Sequence, residues 1–388
     1  MSFSFRFFNP VRINFGVNSL QDAGKMSRKY GKNALIVTGK SSMHKSGVLD
    51  KLIDILQKSD VRSIVFSDIT PNPTVSEIDA AAAIARTNHI DLIIGLGGGS
   101  ALDSAKAIAV AAKGDRSVWE YLKIEPESAL PVITIVSTSG TGSEVNRFSV
   151  MTNAKTGEKP GFGYECMYPK EAIIDPVIMQ SMPAYVTATT GFDVFVHSLE
   201  AYTGRISNPI ADSYCEKAFA LLKESLVTAY NEPENIKART DMAAASALAG
   251  LAIDSAGVGI IHALEHPVSG NFPNIAHGAG LAALTVESMK LNINDKTAKE
   301  KYARAAHIFG KIKGNKTEGD MAYELIETVK KMLKDVNLNV SLEGLKVSED
   351  KLEKIAKEAF TTMDFAVLNN PVQVDENGAL KLLKDSFK

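Results

Sequence analysis

The first half of this 388-residue chain alternates short apolar, β-branched runs with helix-forming segments, and the alternation stops near residue 183. Runs at 34–38 (Ala-Leu-Ile-Val-Thr), 63–66, 92–96 and 132–136 (Val-Ile-Thr-Ile-Val) read as buried parallel strands, after a short opening strand at 11–15. Helical segments at 48–58, 75–87 and 97–112 separate them, and Pro71-Asn72-Pro73-Thr74 supplies turn chemistry. Alternation with these lengths calls for a parallel sheet covered by helices, in the doubly wound manner. Beyond residue 183, Ala-, Leu-, Lys- and Glu-rich segments such as 211–229, 240–252 and 319–336 carry helical periodicity, and strand signals almost vanish. The expected architecture is an α/β domain over residues 1–182 and an all-helical domain over residues 183–388.

Two loops of the first half invite a ligand. Gly95-Leu96-Gly97-Gly98-Gly99-Ser100-Ala101-Leu102-Asp103-Ser104-Ala105-Lys106 follows a strand and opens a helix. Glycines at such a junction let the backbone approach a phosphate, and the helix N-terminus offers free N–H groups with partial positive charge. A plain glycine-rich turn is the rival reading, because the third glycine comes early for the generic G-x-G-x-x-G fingerprint. The next strand ends in a second polar turn that contains Thr138, Ser139, Thr141 and Ser143. Open α/β sheets bind ligands at the carboxyl ends of their strands. Two such loops on consecutive strands therefore favour a nucleotide site.

The second half concentrates imidazoles. His262, His266 and His277 lie close together in an apolar, glycine-bounded stretch, and Asp193 and His197 stand four residues apart upstream. On a helix that spacing places the carboxylate and the imidazole on one face. A lone buried histidine is more often a hydrogen-bonded core residue than a ligand. Asp193, His197, His262 and His277 together nevertheless make one oxygen and three nitrogen donors, a set suited to divalent iron or zinc. The same letters contain His262-Ala263-Leu264-Glu265-His266, the H-x-x-E-H pattern of some zinc proteases. Pro267 follows directly and disfavours helical geometry at His266, which argues against a mid-helix zinc dyad.

Charge balance excludes other classes. With 43 basic and 45 acidic residues the formal net charge is −2, which favours neither nucleic acid nor an anionic membrane as partner. The two cysteines fit a reducing cytoplasm. No G-x-S-x-G elbow is present for nucleophilic hydrolysis.

Taken together, the Gly97-Gly98-Gly99-Ser100-x-x-Asp103-x-x-Lys106 loop, the Thr138–Thr141 turn, Asp193-x-x-x-His197 and the His262-x-x-x-His266-Pro267…His277-Gly278 block resemble the iron-containing (group III) alcohol dehydrogenases. The resemblance implies a dinucleotide-binding domain followed by a helical domain on a dehydroquinate synthase-like fold. It also implies metal ligands at Asp193, His197, His262 and His277, with Fe2+ the expected ion and Zn2+ the alternative. His266 falls on a histidine near the substrate that is not itself a ligand. The implied reaction is hydride transfer between NAD(P)(H) and a small primary alcohol or its aldehyde, in a homodimer or larger homo-oligomer. A glycerol dehydrogenase-like polyol enzyme on the same fold is the alternative, and a zinc protease the remote one. One departure bears on the cofactor. Relatives that use NAD look to carry an aspartate where this chain has Gly39, followed here by Lys40, Ser41 and Ser42. An acidic residue there accepts hydrogen bonds from the ribose hydroxyls and repels a 2′-phosphate. Its absence beside a lysine leads to the expectation that NADP(H) is preferred over NAD(H).

Overall fold

The apolar runs of the first half become the strands of one all-parallel sheet in the computed structural model, which describes residues 4–310 and 316–388. In chain order these are β1 (Arg12–Phe15), β2 (Asn33–Gly39), β3 (Arg62–Ile69), β4 (Leu92–Gly97) and β5 (Val132–Val136). A two-stranded antiparallel ribbon, β6 (Ser149–Val150) with β7 (Gly161–Phe162), then precedes β8 (Glu171–Ile174). The sheet order is β1-β8-β5-β4-β2-β3. Every residue of β4 and β5 is buried, as is the centre of β2. Both faces of these strands are therefore covered, which is why their sequences are continuously apolar rather than alternating.

Helices Val75–Thr87 and Gly99–Lys113 share a core with the sheet, in which Ile78, Ala82, Ala105 and Ile108 pack with Leu35, Val37 and Ile93. Thr74 and Glu77 form a reciprocal capping box that fixes where the first of these helices begins. Besides the unexpected ribbon, two strands of the sheet differ from the sequence expectation. β3 runs to Ile69 rather than residue 66, and β8 was not expected at all. β8 is only four residues long and opens on a charge, Glu171, whose buried carboxylate accepts from Lys29 Nζ (3.0 Å), Tyr30 Oη (3.0 Å) and Asn14 Nδ2 (3.2 Å). Partners so far away in sequence leave no local signal.

The chain divides into two compact units, one of Asn9–Met182 and the other of Pro183–Lys388 together with the N-terminal residues up to Phe8. In the helical unit, helix Ala184–Thr203 is buried along almost its whole length and packs against Pro209–Asn231, Ile236–Ala256 and His277–Asn292. Asn208 and Asn235 cap Pro209–Asn231 and Ile236–Ala256 through their side-chain oxygens. Helix Ile260–Asn271 corrects the expectation about Pro267. The helix continues past that proline, and His266 is helical. An interior proline costs about 3 kcal/mol, but every residue from Ile260 to Gly270 is buried, so packing on all sides outweighs the penalty. Among the described residues no single helix is long and apolar enough to cross a membrane.

Candidate functional site

Helix Ala184–Thr203 places Asp193 and His197 one turn apart, with His197 Nδ1 3.5 Å from Asp193 Oδ1. Helix Ile260–Asn271 brings His262, whose Nε2 lies 3.5 Å from the same oxygen. His277, the first residue of helix His277–Asn292, adds its Nε2 at 3.8 Å. Asp193, His262 and His277 thus offer three ligand atoms within 4.8 Å of one another. The His197 ring stacks on that of His262, with centroids 4.5 Å apart. His266 lies edge-on to both His262 and His277, at 6.3 and 5.6 Å, and groups with Glu265 and His277 in a second set of close donors.

The donor atoms suit a cation. Asp193 Oδ1 and His262 Nε2 are buried, and neither has a hydrogen-bond partner among the described residues. Orphaned buried acceptors of this kind cost free energy unless something else satisfies them. A divalent ion shared between carboxylate and imidazole does so. Burial alone would raise the pKa of Asp193, but His197, His262 and His277 hold it below the ordinary carboxylate range. At His262 burial opposes the charged ring, yet Glu200 and Asp193 raise its pKa to about 9. The surroundings are strongly electronegative. The His277 side chain, a quarter exposed, is the open side of an otherwise buried cluster.

Two carboxylates absent from the expected site sit behind the imidazoles. Glu200 Oε2 lies 2.6 Å from His262 Nδ1, and Glu265 Oε2 contacts His277 Nδ1. Metal-binding histidines ordinarily hand their second nitrogen to such a carboxylate. Glu265 was visible in the sequence only as the would-be base of a protease motif, and Glu200 not at all. The one available hint was a glutamate three residues after His197.

In the other unit the glycine loop and the polar turn interlock. β4 pairs with β2 on one side and with β5 on the other, so the chain reverses its direction of travel between β2 and β4. Doubly wound sheets take ligands at that switch point, beyond the strands' carboxyl ends. Gly39 and Gly97 end the two strands that flank it. Gly97 has φ +148°, and Gly98 is the N-cap of helix Gly99–Lys113. A Cβ on Gly99 would come within 2.5 Å of Thr141 Cγ2, and one on Gly98 within 3.1 Å of Thr138 Oγ1. These glycines let the second loop close onto the first.

Three of the expected cofactor residues spend their side chains on the protein itself. Asp103 accepts from the Ser143 hydroxyl and from Val150 N at 2.9 Å, pinning the polar turn and the ribbon to the helix. Ser139 Oγ donates to Met179 Sδ. The buried Lys106 ammonium donates to the carbonyl oxygens of Ser143 (3.0 Å) and Asn146 (3.2 Å). Burial pushes the neighbouring Glu144 carboxyl up to about 7. Ser100, Thr138 and Thr141 are partly exposed, and Lys40 and Ser41 are exposed.

Comparison with known proteins identifies the family. Residues 10–176 match the family model of iron-containing alcohol dehydrogenase, and residues 187–387 match the model of the C-terminal part of the Fe-containing alcohol dehydrogenase family. The chain belongs to the iron-containing alcohol dehydrogenases. It is an oxidoreductase of the alcohol dehydrogenase class, and the zinc-protease reading falls away. Among its relatives is the long-chain primary alcohol dehydrogenase of Thermoanaerobacter ethanolicus, 33% identical, with 99% of this chain and 97% of that protein covered. The NADH-dependent butanol dehydrogenase A of Clostridium acetobutylicum is 30% identical over 99% of this chain and 100% of its own length. An archaeal halo-thermophilic alcohol dehydrogenase from a Red Sea brine pool superposes with a TM-score of 0.96 at 36% identity, with both chains fully covered.

Proposed function

We propose that the protein is a metal-dependent alcohol dehydrogenase and aldehyde reductase. In this reading residues 1–182 bind the dinucleotide, and residues 183–388 hold the metal and the reacting group. The observation that carries it is the convergence of Asp193 Oδ1, His262 Nε2 and His277 Nε2 with orphaned buried acceptors, and His197 beside them. These four residues hold the ion, Fe2+ in preference to Zn2+. When bound, the ion supplies Lewis-acid polarisation of the alcohol or aldehyde oxygen, and a nicotinamide ring supplies the hydride acceptor or donor. Backbone N–H groups of Gly98, Gly99 and Ser100 at the helix N-terminus receive the pyrophosphate, aided by the hydroxyls of Thr138 and Thr141. Asp103, Ser139 and Ser143 hold the two loops in shape. The substrates are small primary alcohols and their aldehydes. A glycerol dehydrogenase-like preference for polyols gains no support from the family models. The direct test is turnover of a primary alcohol series with each nicotinamide cofactor after loading with ferrous iron or zinc. Activity on none of them would remove the proposal.

His266 exchanges the substrate hydroxyl proton without holding the ion. Its ring lies beside those of His262 and His277, and an imidazole can both give and take a proton. His266→Ala should keep stoichiometric metal and lose about 10²- to 10⁴-fold in kcat, with an altered pH profile. Metal loss in that variant would instead make His266 a ligand.

The cofactor is NADP(H) in preference to NAD(H), although three similar proteins are named for NADH dependence. Support comes from the end of β2, where Gly39 supplies no carboxylate to repel a 2′-phosphate and Lys40 and Ser41 stand exposed. A Cβ on Gly39 meets only Ile69 O, at 3.6 Å, so a side chain fits without displacing the strand. Gly39→Asp should shift preference toward NAD, chiefly through the KM for the cofactor. Higher kcat/KM with NAD in the wild-type enzyme contradicts this assignment.

We also place the protein in the cytoplasm, as a homodimer or larger homo-oligomer. The outer edge of β1 pairs with no strand among the described residues, and Ile13 and Phe15 on it are exposed.

A further inference from the structure

We propose that Glu200 is a positioning residue for the metal site, acting through His262 by fixing which ring nitrogen carries the proton. The inference rests on the metal reading given above. Glu200 lies on the helix that carries Asp193 and His197, two turns beyond Asp193 and therefore on the same face. It is 4% exposed, and both of its oxygens are spent. Oε1 accepts from Ile261 N at 2.7 Å, and Oε2 faces His262 Nδ1 at 2.6 Å.

The first contact is a helix cap supplied from a distance. Helix Ile260–Asn271 has Gly259 at its N-cap, with no side chain to satisfy the free N–H groups of the first turn. Glu200 reaches in to do so. A Cβ on Gly259 would stand 3.0 Å from Glu200 Oε1, which explains a glycine at that place. The cap sets the position of the helix start, and His262 lies in that first turn.

The second contact sets the tautomer. A carboxylate accepts and does not donate, so the hydrogen of a neutral His262 ring resides on Nδ1. The lone pair is then on Nε2, the atom that faces Asp193 Oδ1 and has no hydrogen-bond partner among the described residues. Glu265 makes a comparable contact with His277, but its Oε1 is itself orphaned and it belongs to the second donor group. Glu265 is therefore open to a ligand role, whereas Glu200 has no oxygen left to give.

Glu200→Gln separates capping from tautomer control. The amide oxygen still accepts from Ile261 N, and the amide NH2 then faces Nδ1. Nδ1 becomes the acceptor, the proton moves to Nε2, and the lone pair meant for the ion is lost. Zinc affinity should be measured on the metal-stripped protein by chelator competition, with the circular-dichroism spectrum as a check on folding. The expected result is binding about 10- to 100-fold weaker. In a His262→Ala background the same change should cost nothing further, because its route to the metal is gone. If Glu200→Gln does not fold, Glu200→Asp, which retracts the carboxylate by one methylene, carries the same comparison. Equal zinc affinity with and without the substitution overturns the proposal, as does an equal loss in both backgrounds. Wild-type protein that binds zinc no tighter than the His262→Ala variant overturns the reading of the site itself.

Discussion

Replacing His262 and His277 together by alanine is expected to abolish stoichiometric metal and to lower kcat by about three orders of magnitude or more. The two imidazoles supply two of the three atoms that converge within 4.8 Å, leaving Asp193 and His197. Behind them, Glu200 and Glu265 lose the rings they hold, so three buried carboxylates face a hole with little countercharge. Lewis-acid stabilisation of a substrate oxygen is worth several kcal/mol, and each 1.4 kcal/mol is tenfold in rate. Metal per chain by mass spectrometry and kcat with a primary alcohol check the two halves of the expectation. Full turnover with one ion per chain in the double variant would falsify the assignment of these ligands.

Gly278→Ala should do comparable damage without touching a donor atom. A Cβ at Gly278 would fall 1.9 Å from Thr189 O and 2.6 Å from Thr189 C. Both atoms are backbone of helix Ala184–Thr203, which is buried and cannot yield cheaply. The helix that begins at His277 must therefore back away from the helix that carries Asp193. Since His277 is the adjacent residue, the displacement passes directly into the proposed metal site. Overpacking of this kind costs about 1–3 kcal/mol of stability, and a ligand misplaced by about 1 Å costs about 10²-fold in rate. Gly319→Ala is the control. Gly319 is partly exposed on helix Glu318–Asp335, and a Cβ there meets nothing closer than Thr317 Oγ1 at 3.8 Å. Thermal melting and metal titration of both variants decide the matter. Wild-type values for Gly278→Ala contradict the close helix contact.

Features with local causes were legible before the structure. The apolar runs of β2, β4 and β5, the turn at Pro71–Thr74 and the four-residue step from Asp193 to His197 each follow from residues near one another in sequence. Features with remote causes were not. β8 depends on Lys29 to neutralise Glu171 and on Tyr30 and Asn14 to satisfy its oxygens inside the sheet. Helix Ile260–Asn271 runs through Pro267 because its surroundings bury it. Glu200 acquires its place at His262 from the crossing of two helices more than sixty residues apart in sequence. The glycine loop shows both kinds. Its strand–turn–helix form was written locally, but the engagement of Asp103 with Ser143 and Val150 appears only when the loops fold together.

An anomalous difference map of crystals grown after loading with ferrous iron tests the central claim most directly. Two groups of donors compete in the structure, Asp193–His262–His277 and Glu265–His266–His277. The expected map has one peak per chain, held by Asp193, His262 and His277 with His197 alongside, and no density joining it to His266. A peak at Glu265 and His266, or no peak near these histidines in iron-loaded crystals, would contradict the account.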